Sequence, residues 1–295
     1  MFDYTLVFLL VFSSQILLIS YFLPKKLLGL QRHVVDTYPP AEYPRLYPIS
    51  LDEVRRTSRL YWRANLLVLF VGLAAVVLGV LYPSQDLLFW DNDVARMLFL
   101  LLQVSPLAIV HTTGLNYLSL MRRSDSRTTR KAVLRPRRMA DVVSPAAIGL
   151  VISVYLAFVL FIIYVDQFDF PWFGGYSNIV VITIANLFFA GIVAWNVYRK
   201  NPDPYQATED RLRQNERLAK IMVISSVATT LTAASSITLA CFELRHLDPL
   251  PASLLAQLLV LLSLRALRID NLDFEVYRAD PVVESRTPST SLPLR

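Results

Sequence analysis

Seven uncharged, strongly apolar runs recur along the chain and dictate the kind of fold open to it. They span 4–24, 64–85, 97–121, 142–165, 171–198, 221–242 and 249–264. A helix needs about 20 apolar residues to cross the hydrocarbon core of a bilayer. The first six runs meet that length. The seventh is shorter and runs into Arg265 and Arg268, but it crosses if those arginines snorkel to the interface. Hydrophobic residues make up 55% of the 295-residue chain and charged ones only 18%, which excludes an ordinary soluble domain. The expected fold is an all-α, polytopic membrane bundle of seven transmembrane helices.

Orientation follows from the basic residues. If all seven runs cross, one side holds only Arg96 and Arg245, while 27 of the 29 lysines and arginines fall on the other. Lys and Arg are retained in the cytoplasm, so the N-terminus is expected outside and the C-terminus in the cytoplasm. Met1-Phe2-Asp3 before the first run offers no basic n-region, so that run is expected to stay as a span. Twenty-four Arg against five Lys suggest a bacterial source, hence a plasma membrane of the bacterial inner-membrane kind. The expected organisation is a transmembrane domain over 1–268 and a cytoplasmic tail over 269–295, rich in Pro, Ser and Thr and poorly ordered.

The loops carry their own signals. The first apolar run is taken to end at Pro24. YPPAEYPRLYP, with Tyr-Pro at 38, 43 and 47, reads as an extended, polyproline-like strap. It either docks a partner or lies over the cytoplasmic ends of its own bundle. Ser50-Leu51-Asp52-Glu53 is a capping box, so one helix should run from there to Leu81, with a cytoplasmic extension at about 51–63. Thr208 followed by Glu209 and Asp210 starts a second such helix, with an extension at about 209–220 that continues through the sixth run. Ser144-Pro145 caps the fourth span.

The sixth run, Ile221 to Phe242, is expected to be the helix on which others pack. It carries eight hydroxyls, four alanines and no charge. Lipid gives no hydrophobic drive to helix association, so small residues and interhelical hydrogen bonds take that part. An intramembrane ionisable side chain marks a functional site by default, and His111 in the third span is the only one. Pro106 nearby should kink that helix. The expected polar cluster is His111, Asn116 and Asn186 with Ser225, Thr229, Thr232 and Ser236 of the sixth run. It either lines a cavity between the third and sixth spans or is satisfied by neighbouring hydroxyls.

Other chemistry is discounted. His33 and His246 lie on opposite sides of the membrane from one another, so His111 lacks a second axial ligand for haem. No span interior holds an Asp or Glu, as a proton-coupled carrier would. HExxH, GxSxG and glycine-rich phosphate loops are absent. The lone Cys241 rules out an intramolecular disulfide framework. No cofactor or metal is expected, and the chain reads as non-catalytic.

Arg122, Arg123, Arg130, Lys131, Arg135, Arg137 and Arg138 could hold anionic lipid headgroups or simply set orientation. Nucleic acid is not an expected partner, since no fold accompanies the charge. The outer loop DQFDFPWFGGYSN reads as an aromatic belt, or as a shallow lipid pocket around Gly174-Gly175. Two functions follow: a subunit or organiser of a membrane complex, associating with other membrane proteins or itself through its basic face, or a small-solute transporter with a path lined by His111 and the hydroxyls.

Overall fold

The computed structural model describes residues 4–82, 93–124, 138–168, 173–198, 203–206, 208–266 and 272–278. Nine α-helices occur among them: α1 (Tyr4–Leu17), α2 (Leu23–Thr37), α3 (Leu51–Leu81), α4 (Asp93–Val104), α5 (Leu107–Ser124), α6 (Pro145–Val165), α7 (Ser177–Tyr198), α8 (Thr208–Cys241) and α9 (Pro249–Ala266). No strand occurs among the described residues. Six helical stretches are long and apolar enough to cross a membrane, and α4 with α5, bent by 42° at their break, makes a seventh if the pair is one span.

The first span does not end at Pro24. A π turn at Leu18–Phe22 joins α1 to α2, and the Leu23 N–H reaches back to the Leu18 carbonyl. Proline lacks an N–H, and its ring collides with the carbonyl four residues earlier. The wider π turn relieves that crowding and lets the helix run on to Thr37. What remains of the first loop is 38–50, and it is folded rather than extended. The Tyr43 N–H bonds to the Pro39 carbonyl, a 3-10 turn covers Pro44–Leu46, and the Tyr47 hydroxyl donates to the Tyr38 carbonyl at 2.6 Å.

The capped helices form where their caps stand. Ser50 Oγ accepts from the Glu53 N–H at 3.3 Å, and Ser144 Oγ accepts from the Ala147 N–H at 3.2 Å. Helix α3 has 31 residues and α8 has 34, or about 46 and 51 Å at helical rise. Both therefore run well beyond the roughly 30 Å hydrocarbon core. The two extensions carry intrahelical ion pairs, Asp52–Arg55 and Glu209–Arg213, and Ser58 of α3 bonds to Gln31 of α2 at 2.7 Å.

Helix α8 is the centre of the packing, flanked by α6, α7 and α9. Its faces are built from small side chains, with Ala219, Ser225, Ser226 and Thr230 buried. At one end Val142, Val143, Val193 and Val197 close on Ala219, and at the other Phe158, Ile162, Val165 and Ile182 close on Ile237. Helix α1 and the π turn lie on α3 and α9, with Ile19 and Leu23 against Ala256 and Val260. Large apolar residues such as Leu67, Phe70, Leu160, Leu187 and Trp195 point outward, as lipid-facing positions should. At Gly72 α3 passes close to its neighbours: a Cβ there would lie 3.0 Å from Phe99 and 3.1 Å from Ile16.

Beyond α8 the chain turns through Glu243, the only non-glycine residue at positive φ (58°) among the described residues. The Leu244 N–H caps the Leu239 carbonyl at 2.8 Å. This is a left-handed helix stop of the kind that favours glycine. Glu243→Gly should therefore raise stability by about 1 kcal/mol, measured as thermal unfolding in detergent; an unchanged or lower midpoint would show the turn to be unstrained.

Candidate functional site

Of the residues expected in the polar cluster, Asn186 bonds to α8, through hydroxyls other than the expected ones. Asn186 of α7 meets α8: Ser226 Oγ donates to Asn186 Oδ1 at 2.6 Å, and Asn186 Nδ2 donates to Thr230 Oγ1 at 3.4 Å. The contact uses 226 and 230, one position on from the expected 225 and 229 row. Ser225 is fully buried on its own side of α8, while Thr229, Thr232 and Ser236 are half-buried. Ser235 and Thr238 turn back onto carbonyls of their own helix. Tyr155 and Thr183 share a 2.6 Å hydrogen bond between α6 and α7. These bonds satisfy one another and hold helices together.

His111 and Asn116 stand elsewhere. Both are exposed on α5, whose packing partner is α3, whereas α8 is enclosed by α6, α7 and α9. A cavity shared by His111 and the α8 hydroxyls is thus not what the helices build. The expected kink at Pro106 is present, and Ser105 Oγ donates to the Leu102 carbonyl that the proline cannot serve, at 2.9 Å. Thr112 and Asn116 are exposed like His111, Thr112 Oγ1 donates to the Ala108 carbonyl at 2.8 Å, and nothing lies within 4 Å of a Cβ placed on Gly114.

A second polar group, not anticipated from the sequence, lies inside. Gln15 Nε2 of α1 donates to Gln103 Oε1 of α4 at 2.7 Å, and Ser253 Oγ of α9 donates to Gln15 Oε1. Gln257 Nε2 reaches the Val11 carbonyl at 2.9 Å. Among the described residues, Gln103 Nε2 and Ser20 Oγ in the π turn are buried without a hydrogen-bond partner. The hint was a glutamine inside each of three uncharged runs, at 15, 103 and 257.

The third region is the basic end, where loop 38–50, the end of α5, the α7–α8 linker and segment 272–278 converge. Tyr43, Met121, Tyr205 and Tyr277 form one buried cluster there. The ring of Phe274 stacks on Tyr38 with centroids 4.3 Å apart. The Tyr277 hydroxyl donates to Asp203 at 2.7 Å, the Tyr43 hydroxyl donates to Glu275 at 2.7 Å, and the Asp273 N–H donates to Asp210 at 2.9 Å. Burial, then the Asp203 charge, pushes the Tyr277 phenol well above its ordinary range. The bond from Tyr43 is the main cause that holds the Glu275 carboxyl below its usual value. A carboxylate with a lowered pKa stabilises the fold above its unfolded pKa, and that contribution is lost as pH falls through the folded value.

The expected tail thus begins with a docked segment; residues 279–295 lie outside the described residues. So do Arg130, Lys131, Arg135 and Arg137. Arg123 and Arg138 are exposed and Arg122 is half-buried. In the loop between α6 and α7, Gly174 and Gly175 take positive φ, Phe168 and Tyr176 are exposed, and Phe173 packs on the α6–α7 core; Phe170 and Trp172 lie outside the described residues. Among the described residues no group of three His, Cys, Asp or Glu side chains is placed to hold a metal ion. No protein-family model, curated protein or solved structure matches the chain.

Proposed function

We propose that the chain is a non-catalytic subunit or organiser of a membrane complex that packs another transmembrane helix against α5. The observation that carries this reading is the exposure of His111 and Asn116 on a span. Lipid cannot satisfy an imidazole or an amide, so such groups face protein or water. Gly114, three residues on from His111, gives a partner backbone room to approach.

Orientation completes the proposal. Met121 at the end of α5 packs with Tyr43, Tyr205 and Tyr277, so α5 ends beside loop 38–50 and segment 272–278, and we take α4 and α5 as a single bent crossing. Counted as one span, they bring the total to seven, with the basic loops together and cytoplasmic by the positive-inside rule. A bacterial inner membrane fits that charge asymmetry.

The test is the mass of the particle purified from native membranes in mild detergent. The wild-type chain should carry a second chain, its own copy or another protein, and His111→Leu/Asn116→Leu should free it while leaving its thermal midpoint nearly unchanged. A lone wild-type monomer contradicts the proposal.

Ser20 Oγ and Gln103 Nε2, buried without a hydrogen-bond partner among the described residues, favour a second reading, a small-solute path beside the π turn. Uptake into proteoliposomes should then fall in Gln103→Leu, and unaffected uptake would exclude that path.

A further inference from the structure

Two interrupted helices meet inside the bundle. The first span carries the π turn at Leu18–Phe22, a backbone form found often at functional sites, and α4 and α5 are bent by 42° at their break. Both α3 and α4 pack on the π turn. The Tyr21 ring lies 5.8 Å from that of Trp62 on α3, and Gln15, just before the turn, bonds to Gln103, the last residue but one of α4.

Two polar side chains are left over at this meeting point. Gln103 is 1% exposed and Ser20 0%, and among the described residues neither Gln103 Nε2 nor Ser20 Oγ has a hydrogen-bond partner. Other hydroxyls in the spans turn back onto the carbonyl four residues earlier, as those of Thr113, Thr238 and Ser263 do. Ser20 sits inside the π turn, where that register is lost.

The unused groups offer hydrogens. An amide nitrogen only donates, and the bonds that feed it run one way: Ser253 donates to Gln15, and Gln15 donates to Gln103. The chain therefore ends on the N–H bonds of Gln103 and polarises them. With the Ser20 hydroxyl beside the turn, an occupant must accept hydrogen bonds.

Charge decides its sign. No acidic residue occurs between Asp3 and Asp36, between Glu53 and Leu81, or on α5 and α9, and α4 carries only Asp93 at its far end. Lys25 and Lys26 follow Ser20 by five and six residues, and Arg63 adjoins Trp62. The Lys25 ammonium stands 5.4 Å from the centre of the Tyr21 ring. Basic side chains without acidic ones set a potential that favours an anion. Both donors are fully enclosed, so the anion is small, and a dianion would bring more charge than neutral donors offset.

We propose that chloride, or another monovalent anion of halide size, binds between the π turn and the end of α4, held by Gln103 Nε2 and Ser20 Oγ. The proposal deepens the small-solute reading, on which it rests for a route to the site, and is separate from the α5 interface.

The test is chloride-35 nuclear magnetic resonance on the full chain in nanodiscs of zwitterionic lipid. The expected result is saturable broadening of the chloride line, reversed by bromide and not by sulfate at matched ionic strength. Ser20→Ala removes one donor with a minimal change of volume, and Gln103→Leu removes the other. Each should weaken chloride by roughly ten- to a hundredfold, the loss of one charge-assisted bond. Arg123→Gln and Arg138→Gln, at exposed positions, should leave it unchanged. No saturable broadening, displacement by sulfate, or equal loss in the arginine variants would each overturn the proposal. So would a lower thermal midpoint in Ser20→Ala with chloride broadening unaltered, which would assign the donors to a buried water. Uptake into proteoliposomes separates the site from the path. Chloride binding without chloride uptake keeps the site and removes the path, whereas Gln103-dependent uptake of urea without chloride binding keeps the path and overturns the site.

Discussion

Tyr277→Ala should release segment 272–278 from the basic end and cost roughly 3–5 kcal/mol there, the range for truncating a buried aromatic. Tyr277 is 9% exposed, shares a cluster with Tyr43, Met121 and Tyr205, and donates to Asp203. Its loss leaves a void among three rings and removes the hydroxyl from Asp203. Tyr277→Phe keeps the ring and removes only the bond, so it should cost about 1–3 kcal/mol. Hydrogen exchange is the readout. In the alanine variant the amides of 272–278 and of loop 38–50 should exchange together, because Tyr43–Glu275 ties the two segments. Exchange confined to 272–278 would show that the loop holds its place without the segment.

Gly72→Leu should be the most damaging single change within the spans. The glycine sits where α3 passes α1 and α4, with Phe99 and Ile16 already at 3.0 and 3.1 Å from the position of a Cβ. An isobutyl group there must push α3 away from both. Overpacking costs about 1–3 kcal/mol and occasionally more, and here the displaced helices also carry the Gln15–Gln103–Ser253 bonds. The expected result is a thermal midpoint well below wild type and loss of the monodisperse peak in detergent. Val80→Leu on the same helix, at an outward position, should change neither. Equal effects at 72 and 80 would remove Gly72 from the packing.

Helix existence and starts were legible because they depend on local chemistry. Ser50, Ser144 and Thr208 announce helices that begin at those points, and Pro106 announces the bend between α4 and α5. The helix beyond Pro24 was hidden because a π turn is a backbone adjustment with no composition of its own. The partner side of α8 was hidden for another reason. Eight hydroxyls in 22 residues cover the whole circumference of a helix, so which pair meets Asn186 depends on where α7 lies. Gln15 and Ser253 are 238 residues apart, and no local pattern joins such residues. The exposure of His111 likewise depends on α5 packing on α3, which the polarity of the third span alone does not determine. The docking of 272–278 rests on Phe274 and Tyr277, two rings within a polar stretch without apolar period.

The exposed His111 and Asn116 of α5 are the centre of the functional proposal, and a photo-crosslinker tests it in place. A benzoylphenylalanine at position 116, in otherwise full-length chain in native membranes, should form a discrete protein adduct on irradiation. The same probe at position 181, where Val181 is 61% exposed on α7, should give lipid products only. A protein adduct at 116 and none at 181 is the predicted result. Lipid products alone at 116, or the same adduct from both positions, would contradict it.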